Sequence, residues 1–320
     1  MDSDVTKTPR LQYLTTARHH IEGGAAAKEE AMSTVERIFA PRAHDVGGLM
    51  VGRILPYVER RMVGPFIFLD HIGPASMPAG QAIDVRPHPH IGLSTLTYLY
   101  DGELFHRDNL GNAIEITPGG VNWMTAGRGI AHSERTSADE RKITHDLHGL
   151  QCWVALPKSD EETAPEFFHY EANTIPALKQ DGAELHVIAG EAYGARSPVK
   201  VYSPLFYVDV RLKAGAVFAL PNLHEDQGLY VIDGAVEADG ARVDPRMMVV
   251  FSRGSKASVK ALADSHVVLL GGEPFSEPRH IWWNFVSSSQ DRIEEAKNDW
   301  KTGRFARIPG DDKEFIPLPE

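Results

Sequence analysis

Short apolar runs separated by turn residues fill most of the chain from residue 37 onwards. Val, Ile, Leu, Phe and Tyr cluster together, and Gly, Pro, Asp or Asn interrupts them every eight to twelve residues. This spacing is typical of antiparallel sandwiches and barrels. Asp101-Gly102 predicts a hairpin, because a two-residue hairpin turn needs positive φ angles. The best-defined predicted strands are LSTLTYLY (93–100), ELFHRD (103–108), AIEI (113–116), VNWMT (121–125) and IAHSE (130–134).

The same pattern occurs twice, which predicts two β domains. Residues 37–160 form the first predicted domain and residues 201–280 the second, with a looser connection over 161–200. Residues 1–36 are predicted to be a polar leader that contains one helix-like stretch, AAAKEEAM. Residues 281–320 are predicted to supply a returning strand, a helix and a tail.

The C-terminal helix is predicted from its start signal and its periodicity. Ser288 with Asp291 resembles a capping box, and Ile293, Ala296 and Trp300 fall on one helical face. The predicted fold class is therefore all-β, with two antiparallel barrels and one short C-terminal helix.

Composition narrows the function classes. The 320 residues suffice for two domains, and 42% hydrophobic with 24% charged residues is ordinary for a soluble protein. No apolar run approaches the roughly 18 residues of a membrane span. The net charge of −11 argues against direct nucleic-acid binding, which relies on clustered Lys and Arg. The start MDSDVTKTPR lacks secretory features, and the single cysteine, Cys152, excludes an internal disulfide, so we expect a cytoplasmic protein.

Two pairs of polar residues predict a metal site. In RPHPHIGLST (86–95), His88 and His90 share one face of an extended strand, and His132 and Glu134 repeat this arrangement after a glycine turn. Pairs on neighbouring strands could converge on one ion. Three imidazoles and one carboxylate leave two octahedral positions open, which suits Fe(II), with Mn, Ni, Cu or Zn as substitutes in purified protein.

Simpler interpretations remain open from the residues alone. The chain has 15 histidines, and a histidine in a strand is usually hydrogen-bonded in the core or at the surface. His106 could hold a metal ligand or a substrate oxygen, or could be structural. Trp123 and Met124 could line a pocket or pack in the core, and Cys152 is expected to be buried. No Ser-His-Asp triad, phosphate loop or dinucleotide fingerprint is evident in the sequence.

Several longer runs resemble the pirin family of the cupin superfamily. The resemblance covers roughly residues 36 to 305 and implies a bicupin, in which two jelly-roll barrels lie face to face and only the N-terminal barrel binds metal. By match to the family motif, the ligands are His88, His90, His132 and Glu134. The runs that carry the resemblance are DVRPHPHIGLSTLTYLYDGE (84–103), HRDNLGN (106–112), ITPGGVNWMTAGRGIAHSER (116–135), LHGLQCWVALP (147–157) and GGEPFSEPRHIWWNFVSSS (271–289).

The chain departs from the related patterns at a few positions. Ordinary cupins have a glutamate where Ser94 and Thr95 stand here, which leaves Glu134 as the only carboxylate ligand. Many pirins carry Arg, Phe and Glu where this chain has Ile91, Leu93 and Ser94, so we expect a less charged pocket mouth.

The second barrel lacks a comparable ligand set. It offers only His224 and Glu225, adjacent residues that would point to opposite faces of a strand. We therefore expect no metal in that barrel.

The resemblance implies two main functions. Some pirins resemble quercetin 2,3-dioxygenases, which would make a flavonol-like aromatic and O2 the substrates and Glu134 the catalytic base. The alternative is a non-enzymatic, redox-responsive iron protein that binds a transcription factor or a metabolic enzyme. A third possibility is a metal that only stabilises the fold.

Overall fold

The computed structural model describes residues 33–46 and 48–320. The predicted helix-like stretch 25–32 and most of the predicted leader 1–36 lie outside the described residues, whereas Val35 and Glu36 begin the first strand. The described chain consists mainly of strands, with one α-helix, α1 (Gln290–Lys301), and three short 3-10 turns. The strands are β1 (Val35–Phe39), β2 (Arg42–Val46), β3 (Leu49–Leu55), β4 (Phe66–Met77), β5 (Asp84–His90), β6 (Leu93–Asp101), β7 (Leu104–Asp108), β8 (Ala113–Ile116), β9 (Val121–Thr125), β10 (Ile130–Arg135), β11 (His145–Ala155), β12 (Glu166–Tyr170), β13 (Ala177–Gln180), β14 (Ala183–Ala192), β15 (Ala195–Arg196), β16 (Leu205–Leu212), β17 (Val217–Ala219), β18 (Asp226–Asp233), β19 (Val236–Ala238), β20 (Ala241–Val243), β21 (Met248–Phe251), β22 (Ser258–Ala261), β23 (Ser265–Gly272), β24 (His280–Trp282) and β25 (Phe285–Ser287).

Two barrels account for most of these strands, which confirms the predicted all-β fold class. The first barrel has a seven-stranded sheet, ordered β12-β9-β6-β11-β4-β3-β2, and a four-stranded sheet, ordered β5-β10-β7-β8. The second barrel has an eight-stranded sheet, ordered β1-β21-β18-β23-β16-β14-β13 with β15 beside β14, and a four-stranded sheet, ordered β17-β22-β19-β20. Strand β1 precedes the first barrel in sequence but belongs to the large sheet of the second.

The two large sheets pack against each other through one continuous apolar core, which we call the seam. It forms because alternate residues of each strand face outwards from one barrel and are covered by the other. Buried seam residues include Leu96, Tyr98, Trp123, Leu150, Cys152 and Val154 from the first barrel, and Ile188, Tyr207, Tyr230, Val250, Val268 and Leu270 from the second.

The predicted hairpin at Asp101-Gly102 is wrong. Strand β6 pairs with β9 and β11, whereas β7 pairs with β8 and β10, so the turn carries the chain from the large sheet to the small one. Gly102 does have a positive φ of 76°, and a Cβ there would lie 2.0 Å from the carbonyl oxygen of Asp146. The Asp-Gly dipeptide determines the local backbone conformation, but it does not determine which strands β6 and β7 pair with. Asp233-Gly234 makes the same change of sheet between β18 and β19.

The stretch expected to connect the domains contributes strands to both barrels. Within 161–200, β12 extends the large sheet of the first barrel, and β13 to β15 belong to the large sheet of the second. The helix α1 is present, but its N-cap is Ser289, whose hydroxyl accepts a hydrogen bond from the backbone N–H of Arg292. Ser288, the predicted cap, instead bonds to the carboxylate of Glu161.

One face of α1 packs in the way that its periodicity predicts. Ile293 and Ala296 are buried, and Trp300 is packed against the same cluster. Across the described part of the chain, no helix combines the length and the apolar character needed to cross a membrane.

Candidate metal centre

Strands β5 and β10 bring the predicted ligands together. They pair antiparallel, with His132 opposite His88 and Ile130 opposite His90. The register shifts between His132 and Glu134, because β5 has an extra residue there. β5 lies at the edge of its sheet, where its two prolines remove no hydrogen bond that the sheet requires.

Three imidazoles converge in the interior of the first barrel. One nitrogen from each of His88, His90 and His132 lies within 4.8 Å of the others, and the three residues are at most 6% exposed. The Nε2 atoms of His90 and His132 are 3.1 Å apart. The histidines predicted from the two motifs thus form one cluster.

The protonation states of these histidines suit a metal ligand. Burial lowers the pKa of His88 and lowers those of His90 and His132 well below the usual histidine range, so all three are neutral near pH 7. His88 Nδ1 donates to the carbonyl of Arg86 at 2.8 Å, which leaves its Nε2 with a free lone pair. Neutral imidazoles with converging lone pairs form the donor set that divalent transition metals prefer, so the residues present fit such an ion.

Glu134 lies beside this cluster and is held on both sides. Thr97 Oγ1 donates to its Oε1 at 3.0 Å, and Gln151 Nε2 donates to its Oε2 at 2.7 Å. Both donors are uncharged, and Glu134 is 5% exposed. Its carboxylate is within 4.8 Å of ligand atoms of His132 and His106, so His132 belongs to two overlapping groups of three.

Thr97 and Gln151 were missed in the sequence. Both side chains face the barrel interior, whereas their neighbours Leu96 and Cys152 face the seam. A polar residue on the interior face of a predicted strand was the signal that could have found them.

His106 also lies in this region, on the strand next to β10. Its Nδ1 is 3.4 Å from His132 Nδ1, its Nε2 is 3.1 Å from Asp108 Oδ2, and its ring stacks on Phe167 with centroids 4.3 Å apart. Burial would raise the pKa of Asp108, but hydrogen bonds from His106 and Asn112 outweigh this effect and lower it.

The other residues considered for the site occupy different places. Trp123 belongs to the seam, with its Nε1 donating to Thr125 Oγ1 at 3.2 Å, whereas Met124 packs in a separate cluster with Phe167. Cys152 is buried in the seam, and burial raises its pKa to about 12.

The expected pocket mouth at Ile91, Leu93 and Ser94 is not open. Ile91 packs with the C-terminal helix, and Leu93 packs with Trp153 and Phe68. Ser94 is fully buried and hydrogen-bonds to Thr125. Strand pairing and the C-terminal segment cover these positions, which could not be foreseen from a local motif.

A small void adjoins Glu134. Its volume is about 30 Å³, and Asp70, Glu134 and Gln151 supply its polar wall. Its remaining wall is apolar and comes mainly from β3, β4, β5, β7 and β11, through Val46, Leu49, Val51, Ile72, Ile83, Val85, Leu104 and Leu147.

The second barrel carries hydrocarbon side chains at the corresponding positions. Leu220 lies opposite Ala257, and Val259 pairs with Ala238. Val236 pairs with Val243 two residues after the Asp233-Gly234 turn, just as Leu104 pairs with Ile116 two residues after Asp101-Gly102. The positions of Leu220, Ala257, Val259 and Ala238 therefore repeat those of His88, His132, Glu134 and His106. Leu220, Ala257, Val259 and Ala238 all belong to one apolar core, and β19 ends at Ala238, whereas β7 continues to Asp108. His224 instead bonds to Glu273 and stacks on Phe206.

Two face-to-face barrels, one with a histidine cluster, define a bicupin of the cupin superfamily. Residues 48–154 match the family model described as Pirin, and residues 207–306 match the Pirin C-terminal cupin domain. The chain therefore belongs to the pirin family.

Individual relatives match over most of their length. A "Pirin-like protein" of Caulobacter vibrioides is 51% identical over 89% of this chain and 100% of its own. A protein of Pseudomonas aeruginosa named "Putative quercetin 2,3-dioxygenase PA1205" is 36% identical over 92% of this chain and 93% of its own. A crystal structure of quercetin 2,3-dioxygenase from Acinetobacter baumannii superposes with a TM-score of 0.82 at 36% identity, covering 89% of this chain and 95% of that one.

Proposed function

We propose that this pirin-family chain is a metal-dependent dioxygenase that cleaves flavonols such as quercetin with O2. The proposed ligands are His88, His90, His132 and Glu134, and the proposed native ion is Fe(II). The convergence of three neutral, buried imidazoles beside a carboxylate is the observation that carries the proposal. The names of the relatives from Pseudomonas and Acinetobacter give it a substrate class.

The chain's own residues have separate tasks in this proposal. A bound Fe(II) would supply Lewis acidity toward a substrate hydroxyl and an electron source for reaction with O2. Glu134 takes the proton from that hydroxyl, because its carboxylate lies within 4.8 Å of a ligand atom of His132. Thr97 and Gln151 each occupy one of its oxygens, which fixes the plane of the carboxylate and still leaves lone pairs to accept a proton.

The apolar wall of the void would keep water from the reacting atoms. Its volume of about 30 Å³ is far below the roughly 300–1,000 Å³ of pockets that hold drug-sized ligands. O2 fits this void, whereas a flavonol requires side chains of the covering strands β2 and β3 to move. Substrate size is therefore the property that an activity assay must vary.

Oxygen uptake by anaerobically iron-loaded protein tests the proposal. We expect uptake with quercetin or with a smaller aromatic that bears adjacent hydroxyl and carbonyl oxygens, and we expect none from His90→Leu prepared in the same way. Uptake that is absent across a size-graded panel, with full iron occupancy, would contradict dioxygenase activity.

The small size of the void favours one alternative, a redox-responsive iron protein that acts through a protein partner. In that case the oxidation state of the iron must change the affinity for the partner, because a ligand shifts an equilibrium only by its differential affinity for two states. Pull-downs with Fe(II)- and Fe(III)-loaded protein, with His90→Leu as the control, distinguish this function from a metal that only stabilises the fold.

A further inference from the structure

The first barrel contains a chain of polar groups that continues behind the histidine cluster. It runs from Asp108 to His106 and on to His132, through contacts of 3.1 and 3.4 Å. All three residues are at most 2% exposed, so they lie away from bulk solvent. The ligand roles assigned above do not require these hydrogen bonds.

Asp108 determines which atoms donate and which accept along this series of hydrogen bonds. Its Oδ1 accepts the backbone N–H groups of Leu110 and Asn112, at 2.9 and 3.0 Å, and its Oδ2 accepts the side-chain amide of Asn112 at 2.8 Å. A carboxylate surrounded by donors in this way can only accept. His106 must therefore present its Nε2 as the N–H donor to Asp108.

The tautomer of His132 follows from that of His106. A neutral imidazole with its proton on Nε2 has a lone pair on Nδ1, so His106 Nδ1 is an acceptor. His132 Nδ1 must then be the donor across the 3.4 Å contact, which leaves His132 Nε2 without a proton. That bare Nε2 is the atom that faces His90 Nε2 at 3.1 Å.

We propose that His106, oriented by Asp108, is a positioning residue that holds His132 in the tautomer whose Nε2 can bind a metal. This inference rests on the ligand role of His132 in the proposed function. Stacking on Phe167 holds the plane of the His106 ring. Outer partners of metal-bound histidines commonly fix tautomer and ring orientation in this way.

The second barrel shows that the fold does not need this polar chain. Ala238 stands at the register position of His106 and is buried in the apolar core, and β19 ends there, before any counterpart of Asp108. Hydrocarbon packing therefore suffices on the corresponding strand. Asp108 also holds the turn that follows it, but the buried His106 carries a desolvation cost that the second barrel avoids, which is accounted for if His106 serves the histidine cluster.

Asp108→Asn is the sharpest test, because it keeps the side-chain volume and changes one atom. The two backbone N–H groups on Oδ1 hold the amide oxygen there, so the new amide nitrogen replaces Oδ2 and donates to His106 Nε2. His106 must then carry its proton on Nδ1, and the proton of His132 moves to Nε2. The Asn112 amide can turn its oxygen towards the new nitrogen.

The tautomers are read by long-range ¹H–¹⁵N NMR of the imidazoles in metal-free protein near pH 7.5. We expect the Nδ1–H form of His132 in the wild type and the Nε2–H form in Asp108→Asn. Zn(II) affinity, measured by competition with a chelator, should fall by about 10- to 100-fold in the variant. His106→Phe, which keeps a ring over Phe167, should weaken Zn(II) binding by a similar factor.

A matched control is His145→Gln, which removes another buried imidazole of the same barrel, one that bonds only to the carbonyl of Ile143. Its Zn(II) affinity should stay within about twofold of the wild type. An unchanged His132 tautomer in Asp108→Asn, or a Zn(II) affinity within twofold in both test variants, would overturn the inference. Neither readout depends on oxygen chemistry, so a protein without dioxygenase activity could still confirm the role of His106.

Discussion

The small sheets of the two barrels have the same strand order and opposite chemistry. In β5-β10-β7-β8 the inward positions carry His88, His132 and His106, and in the small sheet of the second barrel the corresponding positions carry Leu220, Ala257 and Ala238. The first set is polar and would be costly to bury without a purpose, whereas the second stabilises its barrel by burial alone. One backbone arrangement therefore supports either a binding site or a core.

The largest expected effect comes from giving the first barrel a residue of the second. His90→Leu puts a hydrocarbon side chain, the type that fills the second barrel, at a proposed ligand position and should weaken metal binding by more than about 100-fold, because losing an outer partner of a ligand alone costs about 10- to 100-fold. The free energy of unfolding of the metal-free protein should not fall, since a buried imidazole is replaced by hydrocarbon. Elemental analysis and denaturant unfolding measure the two quantities, and wild-type metal content in the variant would contradict the ligand role of His90.

Glu134→Gln tests the chemistry of the first barrel while keeping its shape. Loss of the proton acceptor should reduce turnover per bound metal by about 10²–10⁴-fold. Rates must be normalised to the metal content of each sample. Glu115→Gln, an exposed carboxylate on β8, is the control. If turnover per bound metal were unchanged in Glu134→Gln, the base would have to be another group.

Phe218→Ala tests the apolar core of the second barrel, two residues before Leu220, the position that corresponds to His88. A cavity in the core should lower the free energy of unfolding by about 3–5 kcal/mol and leave the metal content unchanged. His88→Ala should give the opposite result, with metal lost and a smaller effect on the metal-free fold. If Phe218→Ala and His88→Ala had equal effects on metal content and on the free energy of unfolding, the two barrels would not differ in metal binding and core packing.

The seam between the barrels predicts a dependence of stability on pH. Burial, helped by the charges of Arg246, His148 and His266, lowers the pKa of His71 to about 3. His71 Nδ1 bonds to Tyr230 Oη at 2.8 Å, and its Nε2 lies 2.9 Å from His148 Nε2. Since an unfolded histidine titrates near 6.5, the unfolded chain binds more protons between pH 6.5 and 3.

The stabilising contribution of neutral His71 is therefore present above pH 6.5 and is lost as the pH falls towards 3. The expected loss is about 2 kcal/mol between pH 8 and pH 5. His71→Gln should remove this part of the pH dependence in denaturant unfolding, and His186→Gln, which removes a half-exposed imidazole, should not. Parallel pH profiles for the wild type and His71→Gln would contradict the assignment.

The sequence predicted the histidine cluster because its elements are local. Strand alternation alone places His88 beside His90 and His132 beside Glu134, and glycine turns mark where β10 begins. Which strands pair with each other is not determined by the local sequence. Asp101-Gly102 specifies positive φ angles equally well for a hairpin and for a change of sheet, and nothing in the periodicity of residues 35–39 indicates which barrel they join.

The closed pocket mouth and the hydrogen bonds from Asp108 to His132 could not be predicted from the sequence, for the same reason. Ile91 is covered by a segment about 200 positions further along the chain, around Phe285 and Ile293. Thr97 and Gln151 meet Glu134 only because three separate strands surround one point. Motif reasoning locates chemical groups along strands, whereas pairing across sheets decides what those groups touch.

Strand β1 ties the order of synthesis to the architecture. Val35 to Phe39 leave the ribosome before any part of the first barrel, yet their hydrogen-bonding partner, β21, is completed only near residue 251. The first barrel can fold while β1 is still unpaired, because the strand that β1 pairs with has not yet been synthesised. A fragment that starts at residue 201 would expose the bare backbone of β21, an edge prone to pairing with foreign strands, so the two barrels cannot be separated cleanly by one cut.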